Sequence, residues 1–120
     1  MPTNIHVKRI YDPADEKDGN RILADRLWPR GISKEKAQIT LWAKEITPSD
    51  ELRKWVHADK EKRWKEFEKK YAQELKENKD EIKKLISPIK GDITLITAVK
   101  EIEHSHIPTL VSFLKKIKDK

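Results

Sequence analysis

The sequence predicts an α/β fold, a small and mostly parallel sheet covered by helices in a single compact domain over residues 1–120. Three observations predict it. The elements run strand, strand, helices, strand, helix, an order that builds parallel sheets with helices laid over them. The stretch Asp92-Ile93-Thr94-Leu95-Ile96-Thr97-Ala98-Val99 is nearly all apolar, as expected of a strand covered on both faces. With 120 residues, the chain is long enough to bury one core without disulfides or metal.

The first strand spans Ile5 to Tyr11, where Ile5, Val7 and Tyr11 alternate with polar residues and Ile10 adds a late apolar position. Residues 12–20 open with Asp12-Pro13 and close with Asp18-Gly19-Asn20, which reads as a polar loop. Its four acids lack EF-hand spacing and a closing glutamate, so calcium is not expected there. Residues 21–25 form the second strand. Ser33 then caps a short helix through Lys34-Glu35-Lys36-Ala37. Ile39, Leu41, Trp42 and Ile46 make an apolar patch without a clear period, either a short strand or an irregular packed segment.

Ser49 or Asp50 starts the next helix, with Leu52, Trp55 and Val56 spaced i, i+3, i+4 toward a core. Helix restarts at Asp59. There Trp64, Phe67, Tyr71 and Leu75 trace one narrow apolar stripe. Such a stripe is ordinarily core, though aromatics beside lysines also resemble a stacking platform for single-stranded nucleic acid. Asn78-Lys79-Asp80-Glu81 matches a capping box for a further helix carrying Ile82, Leu85, Ile86 and Ile89, ended by Pro88 and Gly91. After the apolar strand, Lys100 to His106 is a polar turn. Ile107, Leu110, Val111, Leu114 and Ile117 then define a last amphipathic helix with Pro108 in its first turn.

Net charge is +6, and its distribution matters more than its sum. Residues 60–84 hold ten positive and seven negative groups, and the tail 115–120 holds four lysines and one aspartate. A mixed-sign helix is ordinarily a solvated face, and lysines at a helix C-terminus suit its dipole. There is no cysteine, which excludes thiol catalysis, disulfides and Cys-based zinc sites. No apolar leader is visible at Met1-Pro2-Thr3-Asn4, and no stretch approaches the roughly 20 apolar residues of a membrane span. A cytoplasmic protein with no membrane association is the expectation.

Chemistry concentrates at two strand exits. One is Asp25-Arg26-Leu27-Trp28-Pro29-Arg30-Gly31, and the other is Lys100 through His106. In open α/β sheets, ligands bind beyond the carboxyl ends of strands. If the two strands are parallel neighbours, their exits share a cleft. Asp25, Arg26, Trp28, Arg30, Lys100 and Ser105 are then candidate ligand-binding residues, since arginine's planar fork suits phosphate or carboxylate. His104, His106 and Glu103 are candidate catalytic residues, with a histidine as general base polarised by Glu103 or Glu101. Structural roles compete throughout. Asp25 and Arg26 also read as a mutual ion pair, Trp28 as corner packing, and the histidines as capping or surface groups. Ser105 beside His106 lacks the flanking glycines of a nucleophile elbow. No Walker or G-x-G-x-x-G motif is present, and no third ligand joins the two histidines, so no cofactor and no metal are expected.

The segments Val7-Lys8-Arg9-Ile10-Tyr11, Arg21 to Gly31, Trp42-Ala43-Lys44-Glu45-Ile46-Thr47-Pro48-Ser49 and Leu52-Arg53-Lys54-Trp55 resemble the YeaO-like family of domain of unknown function 488. So do Arg63-Trp64-Lys65-Glu66-Phe67, Tyr71, Leu95 to Lys100 and Glu103-His104-Ser105-His106. The resemblance runs over nearly the whole chain and implies a compact α/β domain without implying an activity. Longer relatives carry a Cys-His-Arg element after the last strand. Here Ser105-His106-Ile107 stands in that place, keeping only the histidine. Some members carry transcription-regulator labels, but no helix-turn-helix with a basic recognition helix is visible here.

The expected function is a site for an anionic small molecule, phosphate- or nucleotide-like, at the strand ends, either as an enzyme or as a binding domain. A second reading is nucleic-acid binding or a regulatory role through the lysine-rich helices. A third is an interaction module that presents Trp28 and Trp42. Oligomeric state is not legible.

Overall fold

The computed structural model describes residues 4–118. Met1-Pro2-Thr3, read above as lacking an apolar leader, and Asp119 and Lys120 of the basic tail lie outside the described residues. The elements are β1 (Ile5–Arg9), β2 (Asn20–Leu23), α1 (Lys34–Ala37), β3 (Leu41–Trp42), α2 (Asp50–Ala58), α3 (Lys60–Glu77), α4 (Lys79–Ile86), β4 (Ile93–Thr97) and α5 (Ile107–Lys118). The four strands form one sheet in the order β1-β4-β2-β3, and every pairing is parallel.

β4 lies inside the sheet, and all five of its residues are buried. Its alternate side chains serve two layers. Ile93 and Leu95, with Ile22 and Ala24 from the β2 segment, meet a thick layer from α2 to α5. Ile96, with Leu23 and Ile10, faces a thinner cover built from Ala37, Trp28, Ile32, Ile39 and Trp42. The irregular apolar patch at residues 39–46 is thus the short edge strand β3 followed by a 3-10 turn, Lys44–Ile46. Burial of Phe67, Tyr71 and Leu75 against the sheet accounts for the stripe on α3, leaving only Trp64 partly exposed.

Local capping decides several boundaries. Ser33 accepts from the Lys36 N–H at 3.2 Å, which fixes α1 where the sequence predicts it. Ser49 starts α2, its hydroxyl accepting from the Leu52 N–H while donating to Glu74 of α3 at 2.6 Å. The predicted capping box at Asn78 does not form. Asn78 has φ −97° and ψ 13°, and its side chain makes no capping bond. A cap needs extended backbone to fold its side chain over the first turn. Here α3 runs almost directly into α4, so Asn78 never leaves near-helical geometry.

The polar loop of residues 12–20 contains structure that its composition hides. Asp15 caps a 3-10 turn, Glu16–Asp18, through a reciprocal pair of bonds with Lys17 and Asp18. Asp18 is buried, bonded to Arg21 at 2.6 Å and to Lys8 at 3.1 Å. Burial pushes its carboxyl up, yet the Asp15 N–H, Lys8 and Arg21 together outweigh burial and hold it below the usual aspartate value. The cluster pins β1, β2 and this loop together. Among the described residues, no three His, Asp or Glu side chains converge as metal ligands. No described helix is long and apolar enough to cross a membrane.

Candidate functional site

The pairing of β2 with β4 brings the two strand exits side by side. Ala24, Asp25 and Arg26 leave β2, and Ala98, Val99 and Lys100 leave β4. Between them and the α2–α3 layer lies a cleft of about 580 Å³.

Asp25 bridges the two exits. Its Oδ1 accepts from the Thr97 hydroxyl at 2.6 Å and its Oδ2 from the Ala98 N–H at 2.7 Å. Both oxygens are thereby committed within the fold. The ion pair with Arg26 that adjacency suggests is absent. Arg26 turns away, donating from Nε to the Pro48 carbonyl at 3.1 Å and lying 3.7 Å from Asp50. Arg53 reaches the same Asp50 at 3.3 Å, so one exposed carboxylate is shared between two guanidiniums.

His106 belongs to the turn of α5 and reaches back across the sheet. Its Nε2 lies 2.6 Å from the Ala24 carbonyl and 4.0 Å from Asp25 Oδ1. A carbonyl can only accept, so Nε2 carries the proton and Nδ1 holds the lone pair. No side chain or backbone group among the described residues bonds to Nδ1. Burial pushes the imidazole pKa down, opposed by the Ala24 carbonyl and the Asp25 charge. The ring is therefore held neutral at neutral pH, with an acceptor nitrogen unspent. Its edge packs against Tyr71, whose hydroxyl donates to the Ile46 carbonyl.

Ser105 is spent in the fold. Its hydroxyl donates to the Ile102 carbonyl at 2.6 Å and accepts from the Ile107 N–H at 3.2 Å, closing the turn into α5. No free nucleophile stands at this position. His104 is exposed over Trp64, ring centroids 6.2 Å apart. Trp28 donates its indole N–H to the Ile32 carbonyl and meets Trp42 edge-on at 5.4 Å. Trp42 donates in turn to the Asp25 carbonyl at 2.8 Å. Both indoles are half-buried and brace the turn that carries Pro29.

Of the residues predicted from sequence, Asp25, Arg26, Trp28, Lys100, His104, Ser105 and His106 line this cleft. Arg30 and Glu103 are exposed and stand outside its lining. Sequence reasoning missed the opposite wall. Arg53 and His57 of α2, with Lys60 and Trp64 at the start of α3, complete the cleft. A signal for them existed: residues 53, 57 and 60 fall at i, i+4 and i+7, one helical face beside the buried Leu52 and Val56. The cleft thus carries Arg26, Arg53, Lys60 and Lys100 around apolar patches from Trp64 and Phe67. Of its acids, Asp25 is internally satisfied and Glu101 is exposed.

The chain matches the family model described as "Inactive DUF488-N3 subclade" over residues 4–120. It is 42% identical over 115 residues to Uncharacterized protein YeaO of Escherichia coli (strain K12), covering 95% of this chain and 99% of that protein. It is 37% identical over 114 residues to Uncharacterized protein Rv3073c of Mycobacterium tuberculosis, covering 93% and 94% of the two chains. No solved structure matches the chain significantly. A match over nearly the full length of the chain, supported by relatives of almost equal extent, carries one conclusion: the chain belongs to the YeaO-like DUF488 family, in the subclade that its model describes as inactive.

Proposed function

We propose that the strand-end cleft binds an anionic small molecule, phosphate- or nucleotide-like, and holds it without chemical turnover. The observation that carries this reading is the cation excess on the cleft. Arg26, Arg53, Lys60 and Lys100 line it, while the one acid at the strand junction, Asp25, has both oxygens engaged. Cations gathered in a partly apolar recess attract anions more strongly than the same charges on an open surface. Trp64 and Phe67, stacked with ring centroids 4.9 Å apart, offer an apolar body such as a base or other planar group a place beside the charges. His106 Nδ1 adds a hydrogen-bond acceptor.

Binding without turnover is favoured by what the neighbouring groups already do. Ser105 is a turn-closing hydroxyl, and Asp25 is a structural clip. Of Asp25, Ser105 and His106, only His106 retains an unengaged acceptor, and proton transfer by one neutral imidazole lacks an accompanying nucleophile at this place in the chain. The family's description as inactive agrees with this reading.

The test is a thermal-shift screen with nucleotides, sugar phosphates and carboxylates at low and high salt. Ligand at about 100 times its Kd stabilises by about 2.7 kcal/mol, or roughly 10 °C for a chain of this length. The shift should shrink with salt and in Arg53→Ala and Lys100→Ala, and should persist in Arg30→Ala. No shift from any anion, or shifts indifferent to Arg53→Ala and Lys100→Ala, would overturn the reading.

A further inference from the structure

Two basic stretches, residues 60–84 and the C-terminal tail, carry lysines beyond Lys60 that the cleft does not use. The fold brings parts of both to one place. α3 and α5 pack side by side, and on the surface between them lies a second groove of about 670 Å³. Its floor is largely apolar, with Ala72 of α3 and Phe113 and Ile117 of α5. Its rim carries Lys69 and Lys76 of α3, Lys79 at the start of α4, and Lys116 of α5, against the single acid Glu68. None of these four lysine side chains forms a hydrogen bond or ion pair among the described residues.

We propose that this groove is a docking site for an acidic amphipathic helix of a partner protein. Two features together select that occupant. A helix with an apolar stripe lays its anchors into an apolar groove between two helices, a recurring mode of peptide recognition. Four unpaired lysines flanking that floor match acidic residues on the edges of such a stripe, and they repel a basic one. The lysines stand at offsets 0, 7 and 10 along α3 and its continuation into α4, so they track the groove lengthwise and do not cluster at one end. Nucleic acid would use the lysines and leave the apolar floor without a partner, since the floor exposes no stacked aromatic platform beyond Phe113. The two α5 residues of the floor are also not expendable surface. Ile117 is buried in the core and Phe113 packs partly against it, so the floor is a rigid extension of the fold.

The experiment is a titration of the full-length 15N-labelled protein with three probes. They are a helical peptide with leucines at i, i+3, i+7 and glutamates elsewhere, the same leucine face with lysines elsewhere, and a single-stranded oligodeoxynucleotide. The glutamate peptide is expected to shift the amide resonances of Ala72, Phe113 and Ile117, with the lysine peptide inert. The double variant Lys76→Glu/Lys116→Glu should weaken binding about tenfold, because it turns two attractive rim charges into repulsive ones. The exposed pair Lys36→Glu/Lys54→Glu, away from the groove, should leave binding unchanged. All four positions are exposed, so folding is preserved. Equal binding of both peptides, no binding of either, or oligonucleotide shifts at the same amides would each overturn the proposal. So would sedimentation showing a dimer whose formation removes these resonances from solvent.

Discussion

Asp25→Ala is expected to behave as the loss of a structural clip. Asp25 ties the end of β2 to the end of β4 by accepting two short bonds, from the Thr97 hydroxyl and the Ala98 N–H. Hydrogen bonds to a charged group contribute about 1.5–3 kcal/mol each, and leaving a buried donor unsatisfied adds to the loss. The side chain is 14% exposed, so water can partly replace the acceptor. Thr97 also keeps a contact with the Val99 N–H. Allowing for both, the expected loss is about 3 kcal/mol, with Asp25→Asn retaining one acceptor and losing about half as much. For a chain of this length that is a fall in Tm of roughly 12 °C for the alanine variant. Thermal unfolding followed by circular dichroism measures it. A double-mutant cycle with Thr97→Val should give a coupling of about 1 kcal/mol or more. A fall of less than about 4 °C, or a coupling near zero, would refute the clip and return Asp25 to the set of ligand-facing groups.

Two further outcomes follow from the same geometry. His106 is held below the usual imidazole value of 6.5, so the unfolded chain takes up its proton first as pH falls. Stability from this group is complete above pH 6.5 and declines as pH drops through the folded value. In His106→Gln, whose amide still donates to the Ala24 carbonyl, urea midpoints should lose that decline. The separate loss below pH 3.8, where Asp18 takes up its proton, should remain. Gly19→Ala should cost about 2–3 kcal/mol, because its φ is +66° and a Cβ would meet the Asp92 carbonyl oxygen at 2.7 Å. Gly31→Ala, with φ +77° but open space around it, should cost only about 1 kcal/mol. Chemical denaturation of the two variants side by side checks the contrast.

Much of the candidate site was legible because strand exits are legible. The apolar run ending at Thr97 and the shorter run ending near Ala24 stop where charged residues begin, and parallel pairing then makes their exits neighbours. The individual roles were less legible. Arg26 and Asp25 are adjacent in sequence and look like partners, yet each bonds to a group far along the chain. Ser105 and His106 carry the residue types of catalysis, and both are engaged by backbone carbonyls. Arg53, His57 and Lys60 belong to the cleft through the crossing of α2 and α3 over the strand ends, and their own segment looks like an ordinary charged helix.

The sequence by itself determined the fold class, the places of β1, β2 and β4, and the helix starts at Ser33, at Ser49 or Asp50, and at Asp59. Those features depend on hydrophobic period and on capping bonds that span only two or three residues. The tertiary structure alone decided which polar groups remain free. Asp25 meets Thr97 across 72 residues and His106 meets Ala24 across 82, so whether a carboxylate or an imidazole is spent or available depends on sheet order. Strand order likewise placed Asp18, which a loop composition presents as solvent-facing, in a buried contact with Arg21 and Lys8. Desolvation makes that contact necessary, because a carboxylate taken from water must find its charges and donors in the fold.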